Sequence, residues 1–233
     1  MSTTAALDAA VTTTISAADA GLVRLSRDLY DHPETAWEEV RSAQRVADQL
    51  ADSGLTVTTE YCGLPTAFSA TIGTGDLHLG LCAEYDALPG LGHACGHNLI
   101  SAITVGAACA LAPLVDDLGI TLHVLGTPAE EGGGGKIEML ERGGFDGLHA
   151  VAMVHPGPVD VARARPFAVS HSHIEYLGKS AHAAAYPDRG INAADAFTLA
   201  QVAIGLLRQQ LPSSVRVHGL LTRGGEAPNA IAE

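Results

Sequence analysis

Two adjacent acids, Glu130 and Glu131, stand between the apolar run Ile120 to Leu125 and four glycines, Gly132 to Gly135. If that run is a buried strand, successive side chains point to opposite sides of it, so one carboxylate can grip a metal while its neighbour handles protons. The glycines leave room for a substrate backbone to come close. Upstream, Gly92-His93-Ala94-Cys95-Gly96-His97-Asn98 offers a thiol and an imidazole two residues apart, ahead of an apolar stretch, Leu99 to Leu114, that reads as a helix. Cys and His are the ligands zinc prefers, and a helix start behind Cys95 favours its thiolate. Downstream, His155 ends the apolar run Leu148 to Val154. Strand ends or strand-to-helix turns thus deliver Cys95, His97, Glu131 and His155, and in an α/β sheet such ends converge on one crevice. The chemistry implied is metal-assisted hydrolysis.

Each of these residues also has a plainer reading. Cys95 can be a small buried hydrophobe, His97 and His155 hydrogen-bonded core histidines, and the two acids a solvated loop pair. What favours a metal is that all four candidate ligands sit at the ends of apolar runs. Phosphate binding is set aside. Gly135-Lys136 and Gly178-Lys179-Ser180 look like half of a phosphate-cradling loop, but Glu130 and His173 occupy the positions where its first glycine belongs.

The elements that must position these groups follow from periodicity. A helix is expected from about Ala17 to Tyr30, a turn at His32-Pro33, and a second helix from about Ala36 to Ala51 with Val40, Val46 and Leu50 near one face. The Thr- and Ala-rich first residues read as frayed. Strands are expected at Thr56 to Tyr61, Ala67 to Thr71 and Leu77 to Leu81, after which strand and helix signals alternate through Val154. That order predicts an α/β fold, a mixed sheet with helices on both faces. A boundary near Asp160 to Arg165 divides the chain into a metal-binding catalytic domain, 1–163, and a smaller α+β domain, 164–233, with strand candidates Phe167 to Leu177 and Val215 to Thr222 around one helix.

With 233 residues, 47% of them hydrophobic, the chain can bury a sizeable core. A formal charge of −13 with scattered lysines and arginines argues against nucleic-acid and anionic-membrane partners. Cys62, Cys82, Cys95 and Cys109 show no disulfide framework, and Met1 to Thr14 lacks the basic start and apolar core of a signal peptide. A reducing, cytoplasmic setting is expected. Leu99 to Leu114 is too short and too interrupted, by Ser101 and Thr104, to be expected to cross a membrane.

Four segments in this order and spacing carry a resemblance: Ala83-Glu84-Tyr85-Asp86-Ala87-Leu88-Pro89, His93 to Asn98, Thr127 to Lys136, and Met153-Val154-His155-Pro156. Together they resemble the dinuclear-metal amidohydrolases of the aminoacylase and carboxypeptidase G2 superfamily. The likeness is greatest to the branch of auxin-conjugate hydrolases, p-aminobenzoyl-glutamate hydrolase and β-alanyl-lysine-type dipeptidases. The resemblance implies a zinc-exopeptidase-like catalytic domain with a lid that also forms a homodimer interface. It implies two divalent ions, zinc first, with manganese or cobalt acceptable, held by Cys95, His97, Glu131 and His155. Glu130 would be the general base acting on a metal-activated water. Asp86 reads as an orienter of a metal-bound imidazole, or as a turn residue before Pro89. His182, in Gly178-Lys179-Ser180-Ala181-His182, matches the lid histidine that polarises the scissile carbonyl in a partner's site, and its plainer reading is a turn cap. Asn229 matches a position near the substrate. The substrate implied is a small amide or dipeptide, such as an N-acyl amino acid. Family members are longer and keep their last ligand, a histidine, near their C-terminus, so the lid is expected to be incomplete here. The alternative is a non-catalytic or vestigial metal-binding and dimerisation module, or an inactive fragment of such an enzyme.

Overall fold

The computed structural model describes residues 3–164 and 168–233, which separate into two compact units, Met1–Val161 and Ala162–Glu233. The first unit runs α1 (Thr3–Asp31), α2 (Val40–Asp52), β1 (Thr56–Thr59), β2 (Phe68–Ile72), β3 (Leu77–Ala83), α3 (His97–Leu111), α4 (Val115–Leu118), β4 (Ile120–Gly126), α5 (Gly135–Glu141) and β5 (Ala150–Ala152). Its five strands form one mixed sheet in the order β1-β2-β4-β3-β5. The β1, β2 and β4 pairings are antiparallel, whereas β3 runs parallel to both β4 and β5. The carboxyl ends of β3, β4 and β5 therefore share one edge of the sheet, where the loops bearing the candidate ligands begin.

Alternation along β4 divides the core in two. Ile120, Leu122 and Val124 face a large cluster that includes Leu25 and Leu29 of α1, Val46 and Leu50 of α2, and Val105 of α3. Leu125 faces the other side, against Met139 of α5 with Leu64 and Ala67. Helices thus cover both faces of the sheet. Asp28 of α1 clips α2 in place through Arg41 at 2.6 Å and Arg45 at 3.0 Å.

Several expectations are corrected here. The Thr- and Ala-rich start is helical, since α1 begins at Thr3 rather than near Ala17. The hydroxyls of Thr12, Thr13 and Thr14 donate to carbonyls four residues back, which satisfies them without leaving the helix. Helix α2 starts at Val40, not Ala36, and Val40 is 68% exposed. The buried face is Ala43, Val46, Ala47 and Leu50, the i, i+3, i+4, i+7 stripe that Val40 does not share. Strand β1 stops at Thr59 because Glu60 turns left-handed, with φ 51°. The helical stretch His97–Leu118, 22 residues, is long and apolar enough to cross a membrane by length and composition. Here it packs as a core element, with Asn98, Ser101 and Thr104 hydrogen-bonding to Ser26, Glu84 and Cys82.

The second unit holds one long helix, α6 (Ala193–Leu207), whose first turn is capped by the Asn192 side chain accepting from Ala194 N–H. Arg165 and Phe167, which bounded the expected linker and the first lid strand, lie outside the described residues. Residues 168–177 and 215–222 form no strand. Among the described residues of this unit the extended pairings are isolated bridges, Lys179 with Ile191 and His182 with Ala230. An alternating pattern supplies a strand's faces but not its hydrogen-bonding neighbour, and among the described residues of this unit no ladder is present for these segments to join.

A row of polar side chains crosses the sheet toward the amino end of β3. Thr71 Oγ1 lies 3.3 Å from His123 Nδ1, and His123 Nε2 lies 3.0 Å from His78 Nδ1. Burial, and then the charge of His78, hold His123 below its ordinary value of 6.5. The folded chain then binds fewer protons than the unfolded one, so this contribution to stability is present above pH 6.5 and drains as the pH falls through the folded value. Thermal melts between about pH 7 and about pH 5 are expected to show a steeper loss for the wild type than for His123→Gln. Parallel curves would show that this row does not govern acid sensitivity.

Candidate metal centre

The chain leaving β3 turns inward, so that Glu84, Tyr85 and Asp86 are each no more than 1% exposed. Tyr85 Oη donates to Thr66 O at 2.5 Å and fixes the segment from one side. Asp86 fixes it from the other. Its Oδ1 lies 3.0 Å from His97 Nδ1, and its Oδ2 accepts the Glu131 N–H at 2.9 Å. Burial pushes the Asp86 carboxyl up, but the His97 and Glu131 hydrogen bonds outweigh it and hold the group below its usual range. For His97 burial pushes downward, and the Asp86 bond together with the charges of Glu84, Asp86 and Glu131 leaves it raised.

His97 opens α3 because Gly96 before it is left-handed, at φ 81°. A Cβ on Gly96 would also stand 3.0 Å from Pro156 Cγ, so glycine here lets the segment after β5 close over the helix start. That closure brings the His155 ring to 6.0 Å from the His97 ring, centroid to centroid and nearly perpendicular. His155 Nδ1 donates to Pro156 O at 2.7 Å, which leaves its Nε2 as the free ring nitrogen. With Nδ1 engaged by Asp86, His97 likewise presents Nε2.

Around His97 Nε2 stand Glu84 Oε2 at 3.4 Å, Glu131 Oε1 at 3.7 Å and Glu130 Oε2 at 3.8 Å. These separations exceed those of charge-assisted hydrogen bonds, about 2.7–2.9 Å. Two atoms bound to one ion at about 2.1 Å and a tetrahedral angle stand about 3.4 Å apart. Both His97 Nε2 and Glu84 Oε2 are buried without a hydrogen-bond partner, an arrangement that costs stability unless something else engages them. Two groups, Glu84 with His97 and His155, and His97 with Glu130 and Glu131, each bring one ligand atom per residue within 4.8 Å of one another. The imidazole and carboxylate donors, their spacing and the orphaned atoms all fit a divalent ion.

The loop after β4 aims the two acids. Ala129 is buried and left-handed, with φ 55°, and its N–H donates to Glu39 Oε1 at 2.7 Å while Thr66 Oγ1 donates to Glu39 Oε2 at 3.0 Å. Burial raises the Glu39 carboxyl. Of the glycines that follow, Gly133 and Gly135 are needed by the protein's own packing, whereas a Cβ on Gly132 would meet nothing within 4 Å. A Cβ on Gly133 would lie 2.2 Å from Trp37 Nε1, and one on Gly135 would lie 1.9 Å from Pro128 O, so a side chain at either would break the packing of the loop. Glu130 is the more exposed of the pair, 45% against 18% for Glu131. Burial and the charge of Glu84 raise its carboxyl, against the lowering effect of Lys136.

Cys95 lies beside Glu131, and its thiol is pushed up to about 11 by that carboxylate, by burial and by Glu130 and Asp86. The expected thiolate is therefore disfavoured in this field of acids, which outweighs the helix start. A bound cation would invert that balance. His182 and Asn229 belong to the second unit, where Ala183 N–H donates to Asn229 O at 2.9 Å. His182 Nδ1 accepts from Ala184 and Ala185 N–H, so its ring caps a turn and presents Nε2 as a donor. Three residues escaped the sequence reading. Glu84 and Lys136 form an ion pair at the centre, and their motif segments gave no hint of a contact 52 positions apart. His93, 6% exposed with neither ring nitrogen hydrogen-bonded, lines a cavity of about 540 Å³ together with Tyr30, Cys95, Asn98 and His155.

Residues 80–217, more than half of the chain, match the model of Peptidase family M20/M25/M40. The Xaa-Arg dipeptidase of Mus musculus is 41% identical over 221 residues, 89% of this chain and 51% of the relative. A p-aminobenzoyl-glutamate hydrolase polypeptide of Escherichia coli K12 is 35% identical, over 89% of this chain and 47% of that one. The chain spans about half the length of these curated relatives. Among solved structures, the YXEP protein of Bacillus subtilis, described as a dinuclear metal binding peptidase, superposes with a TM-score of 0.54 at 28% identity, covering 58% of this chain and 42% of the other. A structure from methicillin resistant Staphylococcus aureus, 24% identical, shares the fold over 95% of this chain and 63% of its own, with a TM-score of 0.65. With the centre at the strand ends and this family match spanning it and more than half of the chain, the chain belongs to Peptidase family M20/M25/M40.

Proposed function

We propose that this chain carries the metal-binding part of an amidohydrolase that cleaves an amide or peptide bond in N-acyl amino acids or dipeptides. The observation that carries the reading is the buried, unpartnered His97 Nε2 ringed by the carboxylates of Glu84, Glu130 and Glu131. His97, Glu131 and His155, with Cys95 beside them, would hold two divalent ions, zinc before manganese or cobalt. When bound, such ions polarise a scissile carbonyl and lower the pKa of water to about 7. The relatives named for dipeptide and acyl-glutamate hydrolysis support the substrate class.

The chain's own groups divide the remaining work. Asp86 holds the His97 ring through Nδ1 and fixes the Glu131 backbone, which keeps both donors aimed at one point. Glu130, half-exposed at the rim, is free to take a proton from water and deliver it to the departing amine. Its raised carboxyl suits both acts, because a stronger acid would hold the proton too weakly. His182, with Nε2 turned out as donor, would meet the carbonyl oxygen of substrate in a second copy of the chain, and Asn229 would stand near the substrate. Pairing of copies through the second unit is supported by the bare apolar surface of α6, where Leu199, Val202 and Leu206 are each more than half exposed. Four free cysteines accord with the proposed cytoplasmic setting.

A Glu130→Gln chain should keep its metal and lose about 10²- to 10⁴-fold in turnover of a dipeptide or of p-aminobenzoyl-glutamate. Metal lost along with turnover, or turnover unchanged, would remove Glu130 from the base's role. Elemental analysis of the purified chain should find divalent metal in the wild type and markedly less in Cys95→Ala. A metal-free wild type would sink the hydrolase reading for this chain.

A further inference from the structure

We infer that Glu84 is itself a ligand at the centre, held in place by Lys136, in addition to the donors that the motifs single out. This inference rests on the metal reading above. Glu84 follows directly on β3, and its backbone is tied to α3 by the Ser101 hydroxyl, which donates to Glu84 O at 2.6 Å. The side chain is buried to within 2%. Its two oxygens have different surroundings. Oε1 is paired with Lys136 Nζ, from the first turn of α5. Oε2 has no hydrogen-bond partner and faces His97 Nε2, which has none either.

A structural ion pair between β3 and α5 would account for Oε1 alone. It leaves two buried polar atoms facing each other across 3.4 Å, too far for the short bond an imidazolium would make to a carboxylate. One cation between them engages both. His155 completes the same group, with its ligand atom within 4.8 Å of the other two. Lys136 acts as a positioning residue. It fixes the carboxylate so that Oε2 points inward, and its charge offsets part of the acid excess of Glu84, Asp86, Glu130 and Glu131.

The test measures zinc content and zinc affinity, by competition with a chromophoric chelator, on the full chain and on Glu84→Gln, Glu84→Asp and Lys136→Met. Melting in excess EDTA reports on the metal-free fold. Glu84→Gln and Glu84→Asp should both lose affinity by more than about tenfold, and Lys136→Met by about 10- to 100-fold, each loss exceeding what any lowering of the variant's EDTA melt accounts for. Glu84→Asp keeps the charge but withdraws the oxygen, so an affinity preserved in that variant would overturn ligation in favour of a purely electrostatic role. Should Glu84→Gln not fold, the decision passes to Glu84→Asp and Lys136→Met. Wild-type affinity in all three variants, or losses matched by equally lowered EDTA melts, would overturn the inference while leaving the metal reading standing. A wild-type chain that binds no zinc overturns both.

Discussion

The Asp86 carboxylate is where three separate stretches of chain become one site. One oxygen holds the His97 ring at the start of α3, the other holds the Glu131 backbone in the loop after β4, and the residue itself leaves β3. Such a carboxylate is worth burying only because each oxygen is engaged, and its two bonds offset the desolvation that burial imposes. What it organises is deliberately unbalanced. Glu84, Glu130 and Glu131 crowd one imidazole nitrogen, with Lys136 as the nearby ammonium, and a cation among them would relieve this concentration of negative charge.

Backbone conformation does much of the aiming. Gly96 is left-handed and bare of a side chain, so Pro156 can close over it and bring His155 toward His97. Ala129 adopts the same left-handed region with a side chain, a strain that Glu39 stabilises from beneath through the Ala129 N–H. Strained backbone of this kind persists only where surrounding contacts over-determine it, and here they come from Glu39, Thr66 and the packing of Gly133 against Trp37.

The two units differ in how completely they satisfy themselves. Met1–Val161 has a five-stranded sheet with cores on both faces. Ala162–Glu233 has a well-capped helix that buries none of its residues, and extended segments whose pairings are isolated bridges. The pairing of copies proposed above would cover apolar side chains left bare in this way. The catalytic centre proposed for the first unit draws its metal donors from that unit alone, while the role proposed for His182 requires a partner copy.

Sequence by itself determined the fold class and the segments that meet. Runs such as Ile120 to Leu125 and Leu77 to Leu81 announce strands, and Cys-Gly-His, Glu-Glu and His155 stand at or beyond the ends of apolar runs, because local pattern favours strand or helix before any tertiary contact exists. It also allowed an orienting role for Asp86. Tertiary structure alone decided the rest, for reasons of distance along the chain. No local pattern could pair Glu84 with Lys136 or Glu39 with Ala129, which are brought together only by the closing of the sheet. Nor could it foresee that the glycines after Glu131 accommodate Trp37 and Pro128, or that neighbouring acids would hold the Cys95 thiol protonated. Helix boundaries shifted for the same reason: Thr3 to Ile15 is weakly patterned alone, and becomes helix where Ile15 and Leu22 lie over Gly106 of α3. Strand candidates in the second unit failed because a strand needs a neighbour, and a neighbour is a tertiary fact that alternation along one segment cannot encode.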